Sequence, residues 1–243
     1  MTQNSFFRRP RTYLIGIPVL IVLAVVVGPF VYIHFIQADP PKKLGLPTGT
    51  SSTAATGGSG TSAARVTSLD GTWKVAAGST VGYRVNELLF GQSSTAVGRT
   101  NAVTGELTLA GTTVPSASFT ADLTKVTSSE SRRDDQFQGR IMDTATYPTA
   151  KFVLTKPIEL TNIPKDLEKI SVPATGDLTL KGTTKTVTFT IDARRSGSTI
   201  EAAGSIPVTF ADYGIGNPSG GPAQTEDHGT LEFLVKFEKA GTG

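Results

Sequence analysis

Cysteine is absent from the 243 residues, which excludes disulfides, thiolate metal sites and lipid attachment through an N-terminal cysteine. Stability must come from packing, and any anchoring from peptide. Histidine is scarce as well. His34 falls inside an apolar run, so His228 alone remains for the rest of the chain and a multi-histidine metal centre is not available. A phosphate-binding glycine series is also missing: LTLKGTTKTVTF, residues 178–189, is a Gly-Thr-Thr turn between two alternating segments. His228 stands in the polar stretch TEDHG, and the pairs Asp134/Asp135 and Glu226/Asp227 are sequence neighbours. Acid and base groups need opposed placement across a cleft, and nothing in the chain completes a nucleophile, base and acid set. An enzyme working through Asp212 or His228 is therefore the least supported of three readings, and no catalytic residue, metal or cofactor is assigned.

What is present begins with uneven charge. The formal net charge is +3, yet residues 1–65 carry six basic residues against Asp39 alone, so the remainder is slightly acidic at −2. A slightly acidic domain is a poor nucleic-acid binder. The basic excess fits membrane topology instead. Tyr13 to Ile36 is a run of 24 residues without a charge, long enough to cross a hydrocarbon core of about 30 Å as a helix. Arg8, Arg9 and Arg11 precede it, which by the positive-inside tendency favours a cytoplasmic N-terminus and an exported C-terminal part. A cleaved signal peptide ending at Ile36, Gln37 and Ala38 is the competing reading, but that site is a poor small-x-small match and the apolar run is too long for a usual signal. Residues 37–68 are rich in Gly, Ser, Thr, Ala and Pro; they bury too little to fold and read as a flexible tether with a span of roughly 30 Å.

From residue 69 onward, period-2 alternation recurs. Val81, Tyr83 and Val85 share a face, as do Val103, Gly105, Leu107 and Leu109, then Ala117, Phe119, Ala121 and Leu123. The same holds for Leu178 and Leu180, for Val187, Phe189 and Ile191, for Ile206, Val208 and Phe210, and for Leu231, Phe233, Val235 and Phe237. Arg84, Asn86, Glu106, Thr108, Thr120 and Asp122 take the opposite face. Turn signals AGST, AGTTVP, KGTTK and RSGS lie between. Roughly eight or nine strands with one apolar face each bury those faces by sandwiching or by closing into a barrel. Composition alone favours an interior filled by side chains.

One segment breaks the pattern. SSESRRDDQFQGRIMD, residues 128–143, is charged and helix-compatible: Ser129 or Ser131 can cap it, Phe137, Ile141 and Met142 can face inward, and Arg132, Arg133, Asp134 and Asp135 stay wet. Together with TATYPTAKF directly after it and ATGDLTLKGTTKTVTFTIDA beyond a loop, this segment resembles the YceI-like family of exported lipid-binding domains. The matching residues are Arg133 and Asp134, then Ile141, Met142 and Asp143, then Tyr147 and Pro148, then Gly176, Leu178, Thr179, Gly182 and Thr183. The opening GTWKVAAGSTVGYRV is similar as well. The family's late Arg-x-Asp-Phe-Gly reads here Phe210, Ala211, Asp212, Tyr213, Gly214, so its arginine is missing.

The resemblance implies an all-β fold, an extended antiparallel lipocalin-like barrel over residues 69–240 with one short helical insert, holding an isoprenoid or other long-chain lipid without chemistry. It also implies that the insert is a lid or wall of the pocket. Lining candidates by alternation are Tyr83, Val85, Phe119, Ala121, Phe137, Met142, Phe152, Leu178, Phe189, Phe210 and Tyr213. The expected organisation is a cytoplasmic tail 1–12, a single membrane span 13–36, the linker and the extracytoplasmic barrel. The alternative is an envelope interaction protein whose barrel is filled by side chains and holds no ligand.

Overall fold

The structure, a computed structural model, describes residues 39–47, 69–221 and 223–241. The expected span 13–36 and most of the linker lie outside them. Among the described residues no helix is long and apolar enough to cross a membrane.

Thirteen strands form one antiparallel sheet: β1 (Gly71–Val75), β2 (Thr80–Leu89), β3 (Gln92–Thr100), β4 (Val103–Ala110), β5 (Thr113–Asp122), β6 (Thr127–Ser128), β7 (Thr149–Leu154), β8 (Ile158–Glu159), β9 (Ile170–Leu180), β10 (Thr183–Ser196), β11 (Thr199–Thr209), β12 (Ala223–Thr225) and β13 (His228–Lys239). The order β1-β4-β5-β7-β9-β10-β11-β13 returns to β1, which closes an eight-strand barrel. β13 is shared along its length. Its C-terminal half pairs with β1 through Phe237–Lys239, and its middle pairs with β2 through Thr230–Leu234. β3 and β6 extend the sheet from β2, and β12 caps the end of β2. Closure removes the free edges that an open sheet would leave to aggregate.

The expected apolar faces all turn inward, because each strand's period of two must bury one face. The β4–β5, β9–β10 and β10–β11 hairpins fall at AGTT, KGTT and RSGS. One irregular element interrupts the sheet. Helix α1 (Ser131–Gln136) continues into a π-helical turn, Phe137–Ile141.

The linker is not loose throughout. Residues 39–47, assigned by composition to the tether, lie as a strap along the outer wall. Arg84 Nη2 donates to Pro41 O at 2.6 Å, Arg99 donates to Lys42 O, Leu44 N–H donates to Glu232 Oε2 at 3.3 Å, and Arg194 Nη1 donates to Pro47 O at 2.9 Å. These arginines point outward, as alternation requires, but they are drawn in by carboxylates: Arg84 Nε lies 2.5 Å from Glu232 and Arg194 Nη2 lies 2.8 Å from Glu201. Covering these pairs with backbone carbonyls satisfies guanidinium donors that the carboxylates leave over.

Candidate functional site

Four glycines widen the interior. A Cβ on Gly98 would come within 2.3 Å of the Tyr83 ring, on Gly176 within 2.4 Å of Phe152, on Gly204 within 2.7 Å of Phe233, and on Gly105 within 2.6 Å of the Phe119 backbone. Each aromatic therefore lies across a glycine on a neighbouring strand. Packing over bare backbone gives these aromatics room that a Cβ would take away.

Halfway down, three of these side chains and Phe189 meet. Phe119 stacks on Phe152 at 5.4 Å, Phe152 meets Phe189 edge-on at 5.3 Å, Phe189 meets Phe233 at 5.8 Å, and Phe233 returns to Phe119 at 5.6 Å. Offset and edge-to-face contacts at these separations are the favoured aromatic geometries. The cycle forms a floor. Below it Trp73, Leu107, Leu109, Val235 and Phe237 fill the barrel, with Trp73 fully buried and its Nε1–H donating to Leu69 O at 2.8 Å.

Above the floor lies a cavity of about 1120 Å³, above the span of about 300–1,000 Å³ usual for small-molecule sites. Val81, Val85, Leu178, Leu180, Ile206 and Val208 give it an aliphatic wall. The helical segment covers it. Phe137 stacks on Tyr83 at 5.0 Å, and Met142 is buried. Polar ties hold this lid on several sides: Arg133 Nη2 donates to Glu87 on β2 at 3.2 Å, Arg140 donates to Asn217 O and Pro218 O at 2.9 and 2.8 Å, and Lys181 Nζ donates to Ile141 O at 2.8 Å. The π-helical turn, closed by Met142 N–H donating to Phe137 O at 2.9 Å, lets both apolar residues point into the lumen.

Of the lining candidates, Tyr83, Val85, Phe119, Ala121, Phe137, Met142, Phe152, Leu178 and Phe210 come together on the cavity. Phe189 does not line it, because it sits behind Phe152 and Phe233 in the floor. Tyr213 is buried in the turn Phe210–Tyr213, away from the lumen. Two local expectations for the insert change. The N-cap is Glu130, without a side-chain cap bond; neither Ser129 nor Ser131 takes that place, and the Asp134 carboxylate instead accepts from Ser128 N–H at 2.8 Å. Arg133 and Asp134 are half-buried, not wet, because Glu87 draws the guanidinium inward and Ser128 N–H holds the carboxylate. Sequence reasoning missed Glu87, Leu89, Phe90, Arg140 and the rim loop Pro218–Gly221. Ile206 and Val208 share the alternation that singled out Phe210 and were legible on that ground.

Burial pushes the Tyr83 phenol well above its ordinary range, offset in part by Arg133 nearby. Tyr83 therefore stays neutral, as an apolar lumen requires. Glu87 is buried, and it pairs with Arg133 at the rim. His228 lies outside the lining, exposed, with Nδ1 2.8 Å from Asp227. Among the described residues no group of three His, Asp or Glu side chains is placed to hold a metal.

Residues 73–237 match the family of YceI-like domains. A polyisoprenoid binding domain from Saccharophagus degradans, implicated in plant cell wall breakdown, is similar in structure, with a TM-score of 0.56 and 16% identity over 69% of this chain and 98% of that one. BcnA of Burkholderia cenocepacia gives 0.50 and 21%, over 63% of this chain and 95% of its own. At these identities the likeness is one of fold. No curated protein matches the chain.

Proposed function

The chain belongs to the YceI-like family, and from that premise we propose that its barrel binds a long apolar lipid, isoprenoid-like in character, and carries or sequesters it in the cell envelope without a chemical step. The observation that carries this reading is the 1120 Å³ cavity between the lid and the phenylalanine floor. A filled barrel, the rival reading, would leave no such space above the floor. The fold of the polyisoprenoid binding domain from Saccharophagus degradans supports the same class of ligand.

Binding strength comes from burial. Each methylene taken from water contributes about 0.8 kcal/mol, so ten or more would bind tightly with few polar contacts. The strand path from Leu89 at the rim to Val81 beside Phe233 is about 26 Å at roughly 3.3 Å per residue, or about 20 Å along a tilted barrel axis. Chain length is thus selected by the floor, and the polar end rests near Glu87 and Arg133. The apolar run 13–36 anchors the barrel to the membrane, with the barrel on the extracytoplasmic side.

A chain-length series tests this. Affinity for fluorescent single-chain lipids should rise about fourfold per added methylene and then level off once the chain reaches the floor. Affinity that does not depend on chain length would contradict a lumenal site.

A further inference from the structure

The β2–β3 turn is built at a cost that the fold does not explain. Leu89 pairs with Gln92, which leaves a two-residue loop of Phe90 and Gly91, both at positive φ, 52° and 77°. That is the geometry in which Asn-Gly or Asp-Gly is favoured; a bulky side chain is disfavoured in the left-handed region. The β9–β10 turn has the same form, with Lys181 at φ 46° and Gly182 at φ 76°. There the side chain has a use, because Lys181 Nζ holds the lid at Ile141 O. Phe90 is 53% exposed, beside Leu88 at 43%. Leu89 and Phe90 also border the cavity, so the exposed apolar tip is continuous with the lumen wall.

The strap begins on the strand that carries this tip. Residues 39–47 enter on Arg84 of β2 and leave on Arg194 of β10, so Asp39 lies on the β2–β3 side of the barrel. Only Gln37 and Ala38 separate Asp39 from the uncharged run that ends at Ile36. Three residue steps span at most about 11 Å. With the strap docked, the barrel is not free to range on a long arm: its β2 side is held next to whatever surface contains residues 13–36.

We infer that Leu88 and Phe90 form a membrane-seating tip, which inserts into the bilayer surface beside the lumen mouth and gives a lipid chain an unbroken apolar path from bilayer to cavity. This inference rests on the lipid-binding reading and on the membrane run. The opposite end supplies the internal control. Leu167 is also exposed, at 49%, and at positive φ, but its backbone is fixed by its own N–H donating to Arg195 O at 2.8 Å, and it does not line the lumen cavity.

The absence of cysteine makes the test clean. The full chain, carrying either Phe90→Cys or Leu167→Cys labelled with an environment-sensitive dye, is reconstituted in phosphatidylcholine vesicles containing spin-labelled lipids. Quenching at position 90 several-fold above that at position 167 is expected. In addition, Leu88→Asp, at a residue that does not line the cavity, should slow lipid uptake from vesicles about tenfold or more while leaving the amount bound at equilibrium unchanged. Equal quenching at both positions, a label at 90 that stays in water, or one shielded by a second protein chain overturns the seating. A seated tip on a protein that yields no extractable lipid counts against the carrier reading alone.

Discussion

The two halves of the barrel use one sequence pattern for opposite ends. Below the phenylalanine floor, Trp73 and Phe237 cross the axis and the barrel is solid. Above it, Ala121, Val81 and Val85 reach inward only a short way, Tyr83 packs over Gly98, and a cavity remains. Alternation decides that both halves face inward, and side-chain volume decides which half fills. A solid half stabilises the fold, and the open half is left to its lid and its contents.

The largest contrast should come from removing the plug. Trp73→Ala, in the solid half, should cost about 3–5 kcal/mol and lower the melting temperature by about 10 °C or more, with lipid bound per folded molecule unchanged; denaturation and lipid extraction on the same samples check both. A mild loss would mean that the closed half is not the stabilising one.

Next comes the lid. Arg133→Ala strands the buried Glu87 carboxylate and should cost about 1–3 kcal/mol, whereas Glu87→Leu/Arg133→Leu should fold nearly as well as the parent because both charges leave together. Urea titrations of the three proteins separate a buried pair from a surface one.

In the open half, Ala121→Trp should change stability by less than about 1 kcal/mol, since it grows into space where a packed core would be overfilled at about 1–3 kcal/mol. Lipid affinity should nonetheless fall about tenfold or more, because several methylenes lose their place. The same degree of destabilisation as an overpacked core would erase the distinction between the halves.

The smallest effect is at the rim. The hydrogen bond to Asp227, aided by Glu226, raises His228 above its ordinary 6.5. A raised folded value means that its contribution is complete below about 6.5 and disappears as pH rises through the folded pKa. Asp227→Asn should bring the NMR titration of His228 back towards 6.5, with no effect on the closed half.

Strand faces were legible because burial enforces a period of two, and so were the inward residues of the lid. The height of a residue along the barrel was not: Phe189 and Phe152 share one alternation logic, yet only Phe152 reaches the cavity. The β2–β3 hairpin was hidden because its turn carries Phe-Gly in place of Asn-Gly, the very substitution that gives the tip its apolar character. The docked strap was hidden for another reason. Pro40, Pro41, Lys42 and Lys43 read as a loose polar stretch, and their partners are carbonyl-seeking arginines whose burial depends on Glu232 and Glu201, far away in sequence.

The most direct test is native mass spectrometry with lipid extraction on the full chain purified from its own envelope, beside Ala121→Trp. The account predicts a bound species of defined long-chain mass in the parent and its loss in the variant. A parent that is clean of lipid, and stays so after incubation with envelope lipids, would contradict it.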